Sequence, residues 1–255
     1  LQVFERDNKK VFITPVGEKI LQKIHQIEID IGDLYQYSKA QKALLSYPLS
    51  LGIIPTIGPF LLPKVLPEVR KQYPNSQLIL EEAQSQVLVN KVRNGELDTA
   101  IIALPYNTEG LHCFEFWQED FYIIAHKTNN MILGKETSSH ELDKSQLLLL
   151  EEGHCLKDHA LSVCKFIRSE MGSSFSGTSL YTLIQMVSAK MGITFVPEMS
   201  LRQLLHDNKE LKISHLNEPT PHRKIAFITR LNFSGVNNIE LLIKIFRQQL
   251  KATLR

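Results

Sequence analysis

The sequence predicts an α/β protein with a long helix in front of it, and two observations lead to this fold class. From residue 48 onward, short apolar runs that suit buried strands alternate with longer segments that carry apolar residues at helical spacing. Residues 16–45, in contrast, have apolar side chains near heptad spacing and no helix breaker other than two glycines. Hydrophobic residues make up 43% of the 255 residues, which allows one or two domains with cores of their own.

The chain begins with a predicted β-hairpin. Residues 1–14 alternate into two short strands around positions 7–10. Basic side chains at the tip suit contact with phosphate groups, although such a tip is more often only a solvated turn. They are Arg6, Lys9 and Lys10. Because the chain starts at Leu1, inside this motif, we expect it to be a fragment of a longer protein.

A long helix is predicted to follow the hairpin. Thr14 is the expected N-cap and Pro15 the first helical residue, since a hydroxyl and a proline favour these two positions. A continuous helix over residues 16–45 would be about 45 Å long. This length favours a helix that pairs with a second copy of the chain over one buried in a small domain.

Beyond residue 48 the alternation of strands and helices is typical of a parallel α/β sheet. The predicted strands cover 49–54, 77–81, 99–104, 121–125, 147–150, 193–196 and 224–229, and the predicted helices cover 58–73, 85–94, 157–168, 180–190 and 237–251. We group these elements into lobe I, at 48–118 and 224–255, and lobe II, at 119–223.

Cys155 is the strongest candidate for a reactive side chain. It follows an apolar strand and Gly153, stands beside His154, and opens a predicted helix. A helix N-terminus and a protonated imidazole both lower the pKa of a thiol, so the pattern predicts a thiolate. The alternative is that Cys155 is simply a small buried hydrophobic residue.

The spacing to Cys164, nine residues later, has a mechanical consequence. A continuous helix between the two cysteines would place their Cα atoms about 13 Å apart along its axis. A disulfide tolerates a Cα separation of no more than about 7 Å. A Cys155–Cys164 bond therefore requires the helix to unwind, which couples oxidation to a local change of structure.

Other site classes find no support in the sequence. Three cysteines, an odd number, argue against a secreted disulfide framework, and Cys113 is expected to be a buried strand residue. His140, His159 and His206 lack metal-ligand spacing, so we expect no metal and no cofactor. With no apolar run of membrane-spanning length and no signal peptide pattern, we expect a soluble cytoplasmic protein that does not engage a membrane.

The first part of the chain resembles the LysR-type family of bacterial transcription regulators. The residues that carry the resemblance are Glu5-Arg6 and Phe12-Ile13-Thr14-Pro15-Val16-Gly17. The resemblance implies a winged helix-turn-helix remnant at 1–14, a linker and dimerisation helix at 15–47, and a two-lobed regulatory domain like a periplasmic binding protein. It also implies that the recognition helix would lie before Leu1.

Within that family, the chain is similar to the OxyR group of hydrogen-peroxide sensors. Glu151-Glu152-Gly153-His154-Cys155-Leu156, with Cys164 at the group's spacing, is the most specific part of the match. Further matching segments are 52–59, 61–63, 82–84, 95–98, 102–104, 178–180, 186–187 and 192–194. The resemblance implies that Cys155 is the peroxidatic cysteine and Cys164 the resolving one, within a redox segment at 153–165.

The same resemblance supplies residues that would bind or activate peroxide. They are Thr56, Ser85, His154, Arg223, Lys157 and Asp158. Ser85 and Lys157 depart from the threonine and arginine that many relatives carry. Each residue also has a structural alternative: Thr56 and Ser85 as helix N-caps, Arg223 as a surface charge, His154 as a structural histidine.

The leading hypothesis is a DNA-binding regulator that senses hydrogen peroxide through a Cys155–Cys164 disulfide. It implies a homodimer or tetramer, a glutaredoxin- or thioredoxin-type reductant, and RNA polymerase as a further candidate partner. One alternative is a LysR-type regulator that responds to a small molecule between the lobes, with Cys155 incidental. The other is a thiol peroxidase, an enzyme for which the wing remnant and long helix have no use.

Overall fold

The computed structural model describes residues 1–7, 10–40, 44–130, 134–166, 176–206 and 208–253. Its strands are β1 (Phe4–Asp7), β2 (Lys10–Ile13), β3 (Leu49–Ile53), β4 (Leu78–Glu82), β5 (Thr99–Leu104), β6 (Leu111–Glu119), β7 (Phe121–His126), β8 (Glu136–Thr137), β9 (Leu147–Leu150), β10 (Ser176–Gly177), β11 (Ile193–Pro197), β12 (Leu211–Leu216) and β13 (Arg223–Arg230). Its α-helices are α1 (Pro15–Ala40), α2 (Gly58–Gln72), α3 (Ser85–Arg93), α4 (Cys155–Val163), α5 (Leu180–Ser188), α6 (Leu201–Leu205) and α7 (Val236–Thr253).

The predicted hairpin and long helix are confirmed at the front of the chain. Strands β1 and β2 pair antiparallel, and the backbone N–H of Gly17 donates to Thr14 Oγ1 at 2.9 Å, which is the N-cap bond expected at this position. Arg6 and Lys10 lie in the two exposed strands, whereas Lys9 lies outside the described residues. Helix α1 is described only to Ala40, short of the predicted end at residue 45.

One face of α1 exposes large apolar side chains, as expected of a helix that packs against a partner. Leu21, Ile24, Ile27, Ile31 and Leu34 are 41% to 68% exposed. Their spacing of three or four residues places them along one side of the helix. Burying such a stripe against another chain would release water from apolar surface, which stabilises association.

A five-stranded sheet forms the first half of the fold, in the order β4-β3-β5-β13-β6. Strand β3 pairs parallel with β4 and β5, but β13 pairs antiparallel with both β5 and β6. The predicted parallel pairing therefore holds for β3, β4 and β5 but not for β13 and β6. Strand β6 was not predicted, because its polar and apolar residues alternate and it contains no apolar run.

A six-stranded mixed sheet forms the second half, in the order β10-β9-β11-β7-β12-β8. Strand β11 pairs parallel with β9 and antiparallel with β7. Strand β12, which was not predicted, pairs antiparallel with β7. Its half-exposed, polar-rich sequence explains why a search for apolar runs missed it.

The chain crosses between the two sheets twice, close to one point. Strand β6 ends at Glu119 and β7 begins at Phe121, so a single residue separates strands of different sheets. The return crossing ends where β13 begins, at Arg223. Each crossing places a charged side chain at the junction, Glu119 at the first and Arg223 at the second.

Two further expectations need correction. Cys113 lies in β6 as expected, but it is exposed rather than buried, because its side of the strand faces away from the core. The helix predicted over 157–168 begins earlier, at Cys155, and ends at Val163. Two residues after its end, Lys165 adopts a positive φ of 54°. Residues 167 and 168 lie outside the described residues.

None of the helices that the structure describes combines the length and apolar character needed to cross a membrane. Across the same described ranges, histidine, cysteine and acidic side chains do not gather in groups of three or more that could hold a metal ion.

Candidate functional site

Cys155 is the first residue of α4, which follows β9 through a tight turn. His154 is the N-cap of the helix, with φ −87° and ψ 111°. Gly153 has a φ of +92°, a region that favours glycine, and a Cβ at this position would lie 2.3 Å from Oε1 of Gln84. Gln84 Nε2 also donates to the carbonyl oxygen of Glu152 at 3.5 Å. Gln84, the N-cap residue of α3, therefore covers the turn that presents Cys155.

The thiol of Cys155 is buried, with only 5% of the residue exposed. The Ser85 hydroxyl, the positive charge of Arg223 and the backbone N–H of Ala103 all lie close enough to lower its pKa. Ser85 Oγ is itself buried and, within the described part of the chain, has no hydrogen-bond partner of regular geometry. The pocket thus surrounds the sulfur with groups that stabilise negative charge.

The prediction of a resting thiolate is nevertheless wrong. Burial raises the pKa of the Cys155 thiol above its ordinary value, and this effect exceeds the opposing effects of Ser85 and Arg223. The carboxylate of Asp158, in the first turn of α4, raises the pKa further. Burial also lowers the pKa of His154, so its imidazole is neutral near pH 7 and adds no positive charge.

Arg223 is fully buried, which excludes the alternative of a surface charge. Its Nη2 lies 2.7 Å from Glu119 Oε1, and its Nε donates to the same oxygen at 2.8 Å. Its Nη1 donates to Thr56 Oγ1 and its Nη2 to the Thr56 carbonyl, both at 3.2 Å. The second carboxylate oxygen of Glu119 accepts from the backbone N–H of Met199 at 2.7 Å. The Arg223–Glu119 ion pair thus connects the two chain crossings to each other. Through Thr56 it is also bonded to the loop after β3, and through Met199 to the segment after β11.

Thr56 and Ser85 are not helix caps. The N-cap of α2 is Ile57 and that of α3 is Gln84, and neither helix start has a side-chain capping bond. Thr56 Oγ1 instead accepts from Arg223, and Ser85 is turned toward the sulfur. The resemblance-based placement of these two hydroxyls near Cys155 and Arg223 is therefore compatible with the geometry.

Two predicted residues lie in less favourable positions for activating peroxide. Lys157 Nζ pairs with Glu152 Oε1 at 2.5 Å, at the edge of the turn. The carboxylate of Asp158 raises the pKa of the Cys155 thiol, so it disfavours negative charge on the sulfur. The structure therefore brings Ser85 and Arg223 to the thiol, while Lys157 neutralises an acidic neighbour.

Cys164 stands at the other end of α4, as its C-cap. Its backbone N–H donates to the carbonyl of Ala160 at 3.1 Å, so the helix is continuous between the two cysteines. The side chain is 3% exposed, and burial together with the charge of Glu218 raises the pKa of its thiol to about 12. Both thiols are free, and each is buried separately.

The sequence interpretation missed His159, which lies one helical turn after Cys155. Because a carbonyl only accepts, Nε2 of His159 carries the proton and donates to the Pro105 carbonyl at 2.8 Å. Its Nδ1 is buried and has no partner among the described residues. Burial lowers the pKa of this imidazole to about 4, so it stays neutral. The sequence did contain a signal for His159: it stands four residues after Cys155 in a predicted helix, a spacing that places both side chains on the same face.

Comparison with known proteins places the chain in one family. The sequence profile of the LysR substrate binding domain matches residues 42–251. The HTH-type transcriptional regulator EstR of Acinetobacter baylyi is 38% identical over 251 residues, which are 98% of this chain and 82% of that protein. The hydrogen peroxide-inducible genes activator of Haemophilus influenzae is 29% identical over 254 residues, or 99% of this chain and 83% of that protein.

A solved structure extends the comparison to the fold. A full-length OxyR variant from Pseudomonas aeruginosa superposes with a TM-score of 0.79 at 29% identity, over 96% of this chain and 82% of that one. The predicted fold class, a two-lobed α/β regulatory domain preceded by a long helix, is confirmed by this match and by the family profile.

Replacing Arg223 with methionine should leave the buried Glu119 carboxylate without a counterion. We expect the free energy of unfolding, measured with urea, to fall by about 3–5 kcal/mol. The matched control is Lys224→Met, which breaks the half-exposed pair with Glu115 and should cost no more than about 1 kcal/mol. Equal losses in the two variants would contradict the role assigned to the buried pair.

His159 should make the protein less stable in acid. Its pKa is about 4 in the folded protein and 6.5 when unfolded, so the unfolded chain binds more protons and stability is lost as pH falls from about 6.5 toward 4. We expect His159→Gln, which retains a donor for Pro105, to remove about 2 kcal/mol of the pH dependence of unfolding between about pH 7 and 5. A pH dependence in His159→Gln equal to that of the wild type would exclude this assignment.

Proposed function

The chain belongs to the LysR family of transcriptional regulators, and from that premise we propose that it senses hydrogen peroxide by oxidation of Cys155. The observation that carries the proposal is the pairing of a buried thiol, set among Ser85, Ala103 and Arg223, with a second thiol at the far end of the same helix. The similarity to hydrogen peroxide-inducible activators supports it.

The first chemical step forms a bond between sulfur and oxygen. The Cys155 thiolate attacks one oxygen of H₂O₂, the O–O bond breaks, and the leaving hydroxide takes up the proton lost by the thiol. Sulfur is oxidised to a sulfenic acid, and one equivalent of water is released. Because the resting thiol is neutral, the charge of Arg223 and the hydroxyl of Ser85 act when the thiolate and the transition state form.

Thr56 has a role in orienting peroxide under this proposal. Its oxygen already accepts from Arg223, which leaves its own proton to donate to a peroxide oxygen. Arg223 in turn keeps a fixed position because Glu119 holds two of its nitrogens. The hydroxyl and the guanidinium thus form a rigid surface beside the sulfur.

The second step joins the two cysteines. Cys164 attacks the sulfur of the sulfenic acid as its thiolate, a disulfide forms, and a second equivalent of water leaves. With the Cα atoms about 13 Å apart along a continuous helix, α4 must unwind before the sulfurs meet. A dithiol reductant of the glutaredoxin or thioredoxin type would restore both thiols.

Unwinding of α4 would transmit the oxidation of Cys155 to the DNA-binding end of the protein. Loss of the helix changes the packing of the second sheet and, through it, the arrangement of subunits held by the exposed apolar face of α1. The hairpin, with Arg6 and Lys10, would contact the DNA backbone in a dimer or tetramer. Such a regulator acts in the cytoplasm, where RNA polymerase is the further candidate partner.

A second candidate function has one observation in its favour. EstR, at 38% identity, is named without reference to peroxide, which suits a regulator that responds to a small molecule instead. In that case Cys155 is incidental, and peroxide at low concentration should leave its thiol intact. Thiol counting separates the two candidates directly.

In a Cys113→Ser background, one equivalent of peroxide should remove both remaining thiols. We expect Cys164→Ser to stop at a sulfenic acid, with loss of one thiol and a mass increase of one oxygen, because no resolving thiol is present. Cys155→Ser should lose none on the same time scale. Thiol titration and intact mass spectrometry check this, and equally fast loss of Cys164 in the Cys155→Ser protein would overturn the proposal.

The rate of disulfide closure should follow the stability of α4. Ser162 is exposed on this helix, so Ser162→Gly and Ser162→Ala form a matched pair that differs mainly in helix propensity, by about 1 kcal/mol. We expect closure to be about fivefold faster in the glycine variant, because unwinding precedes bond formation. Quenched-flow mass spectrometry measures the step.

The first step provides the internal control for this pair. Formation of the sulfenic acid should proceed at the same rate in both variants, since Cys155 lies in the first turn and keeps its contacts. Equal closure rates in the two variants would show that unwinding of α4 does not limit the disulfide.

A further inference from the structure

Three consecutive side chains at the start of α3 lie over the first turn of α4. Gln84 covers the turn before Cys155, and Ser85 is turned toward its sulfur. The Oε1 atom of Gln86, the next residue, accepts from the hydroxyl of Tyr106 at 3.3 Å. Tyr106 belongs to the loop that follows β5, so this bond fixes a side chain from a further element beside the thiol.

The loop that carries Tyr106 is also attached to α4. The carbonyl of Pro105 accepts from Nε2 of His159 at 2.8 Å, and His159 stands one helical turn after Cys155. Tyr106 is therefore tied to α4 through its neighbour in the chain and to α3 through its hydroxyl. Partial burial raises the pKa of the Tyr106 phenol, and the negative charges of Cys155 and Asp158 raise it further, which agrees with a ring beside the first turn of α4.

An open pocket of about 450 Å³ lies on the outer side of the tyrosine, at the second chain crossing. Tyr106 and Arg223 are among the residues that line it, whereas Cys155 is not. Both lining residues also act on the thiol site, since the charge of Arg223 lowers the pKa of the Cys155 thiol and Tyr106 lies beside the same helix turn. Cys155 is buried, Tyr106 half-buried and Gln86 exposed. The tyrosine thus stands between a space open to solvent and an enclosed sulfur.

We propose that Tyr106, held by Gln86, determines by size which reagents reach Cys155. A molecule as small as hydrogen peroxide passes the ring, and one with a bulky organic group is excluded. An alkyl hydroperoxide would oxidise the thiol by the same step: its terminal oxygen bonds to sulfur, the O–O bond breaks, and an alcohol leaves with the thiol proton. The chemistry therefore does not separate the two oxidants, and the ring does.

This inference rests on the proposed function only where the excluded molecule is a hydroperoxide. Exclusion of other bulky reagents from the thiol follows from the position of the ring alone. The two cases are therefore measured separately, first with reagents that are not oxidants and then with peroxides.

Alkylation of Cys155 measures access to the thiol without any peroxide. In a Cys113→Ser/Cys164→Ser protein, the rate constants for N-ethylmaleimide and for the smaller iodoacetamide are each divided by those of a short peptide with one cysteine. The ratio of the two normalised rates cancels the thiol pKa, which affects both reagents alike. We expect this ratio to lie well below one and to rise by about tenfold or more in Tyr106→Ala. A ratio near one with Tyr106 in place, or no rise in Tyr106→Ala, would overturn the proposal.

Two further variants test the hydrogen bond that holds the ring. Tyr106→Phe and Gln86→Leu both remove it while the ring stays, so each should raise the alkylation ratio by the same modest factor, about threefold. The matched control is Tyr73→Ala, a half-buried tyrosine at the far end of α2, which should keep the original ratio. Circular dichroism of each variant separates a freed ring from loss of fold. An unchanged ratio in both ring-retaining variants would exclude Gln86 from this role.

Two hydroperoxides measure the selection of the oxidant. In the same Cys113→Ser/Cys164→Ser background, Tyr106→Ala should accelerate oxidation of Cys155 by cumene hydroperoxide about tenfold or more and change the rate with hydrogen peroxide by less than about threefold. Equal acceleration of both oxidants, or of neither, would contradict selection by Tyr106. If the protein with Tyr106 reacts with hydrogen peroxide no faster than a peptide cysteine, the sensing function fails, and the alkylation ratio still decides the role of the ring.

Discussion

The buried ion pair between Arg223 and Glu119 is the interaction on which the rest of the structure depends. Each partner stands at one of the two crossings between the sheets, and neither side chain is exposed. Two buried charges are tolerated only when their remaining donors and acceptors are bonded, and here Thr56 and the N–H of Met199 complete the set. The pair therefore fixes the junction of the two halves and aims a positive charge at Cys155.

Under the proposed function, this arrangement would let Cys155 be both protected and reactive. Burial keeps the Cys155 thiol neutral, which guards it from adventitious chemistry, while Ser85, Ala103 and Arg223 stabilise the charge that develops when the proton leaves. Cys164 is protected more strongly, at the opposite end of α4. Under the proposed function, a small oxidant would react first with Cys155, and Cys164 would reach the oxidised sulfur only after α4 has changed its structure.

Much of the fold could be predicted from the sequence, because apolar runs and helix caps are signals contained in short stretches of the chain. The hairpin, the cap at Thr14 and the position of Cys155 at a helix start were all predictable in this way. Strands β6 and β12 were not, since their side chains alternate and their partners are distant in sequence. The pKa of Cys155 was mispredicted for the same reason: a helix start is visible in the sequence, but burial of the thiol beside Ser85 and Ala103, which are distant in sequence, is not.

The central claim is that this pocket makes Cys155 an unusually fast target for hydrogen peroxide. The most direct measurement is the second-order rate constant for oxidation of Cys155 in the Cys113→Ser/Cys164→Ser protein, followed by stopped flow beside a short peptide with one free cysteine. The account predicts that the protein thiol reacts at least tenfold faster at neutral pH, despite its smaller thiolate fraction. A rate equal to or below that of the peptide would contradict it.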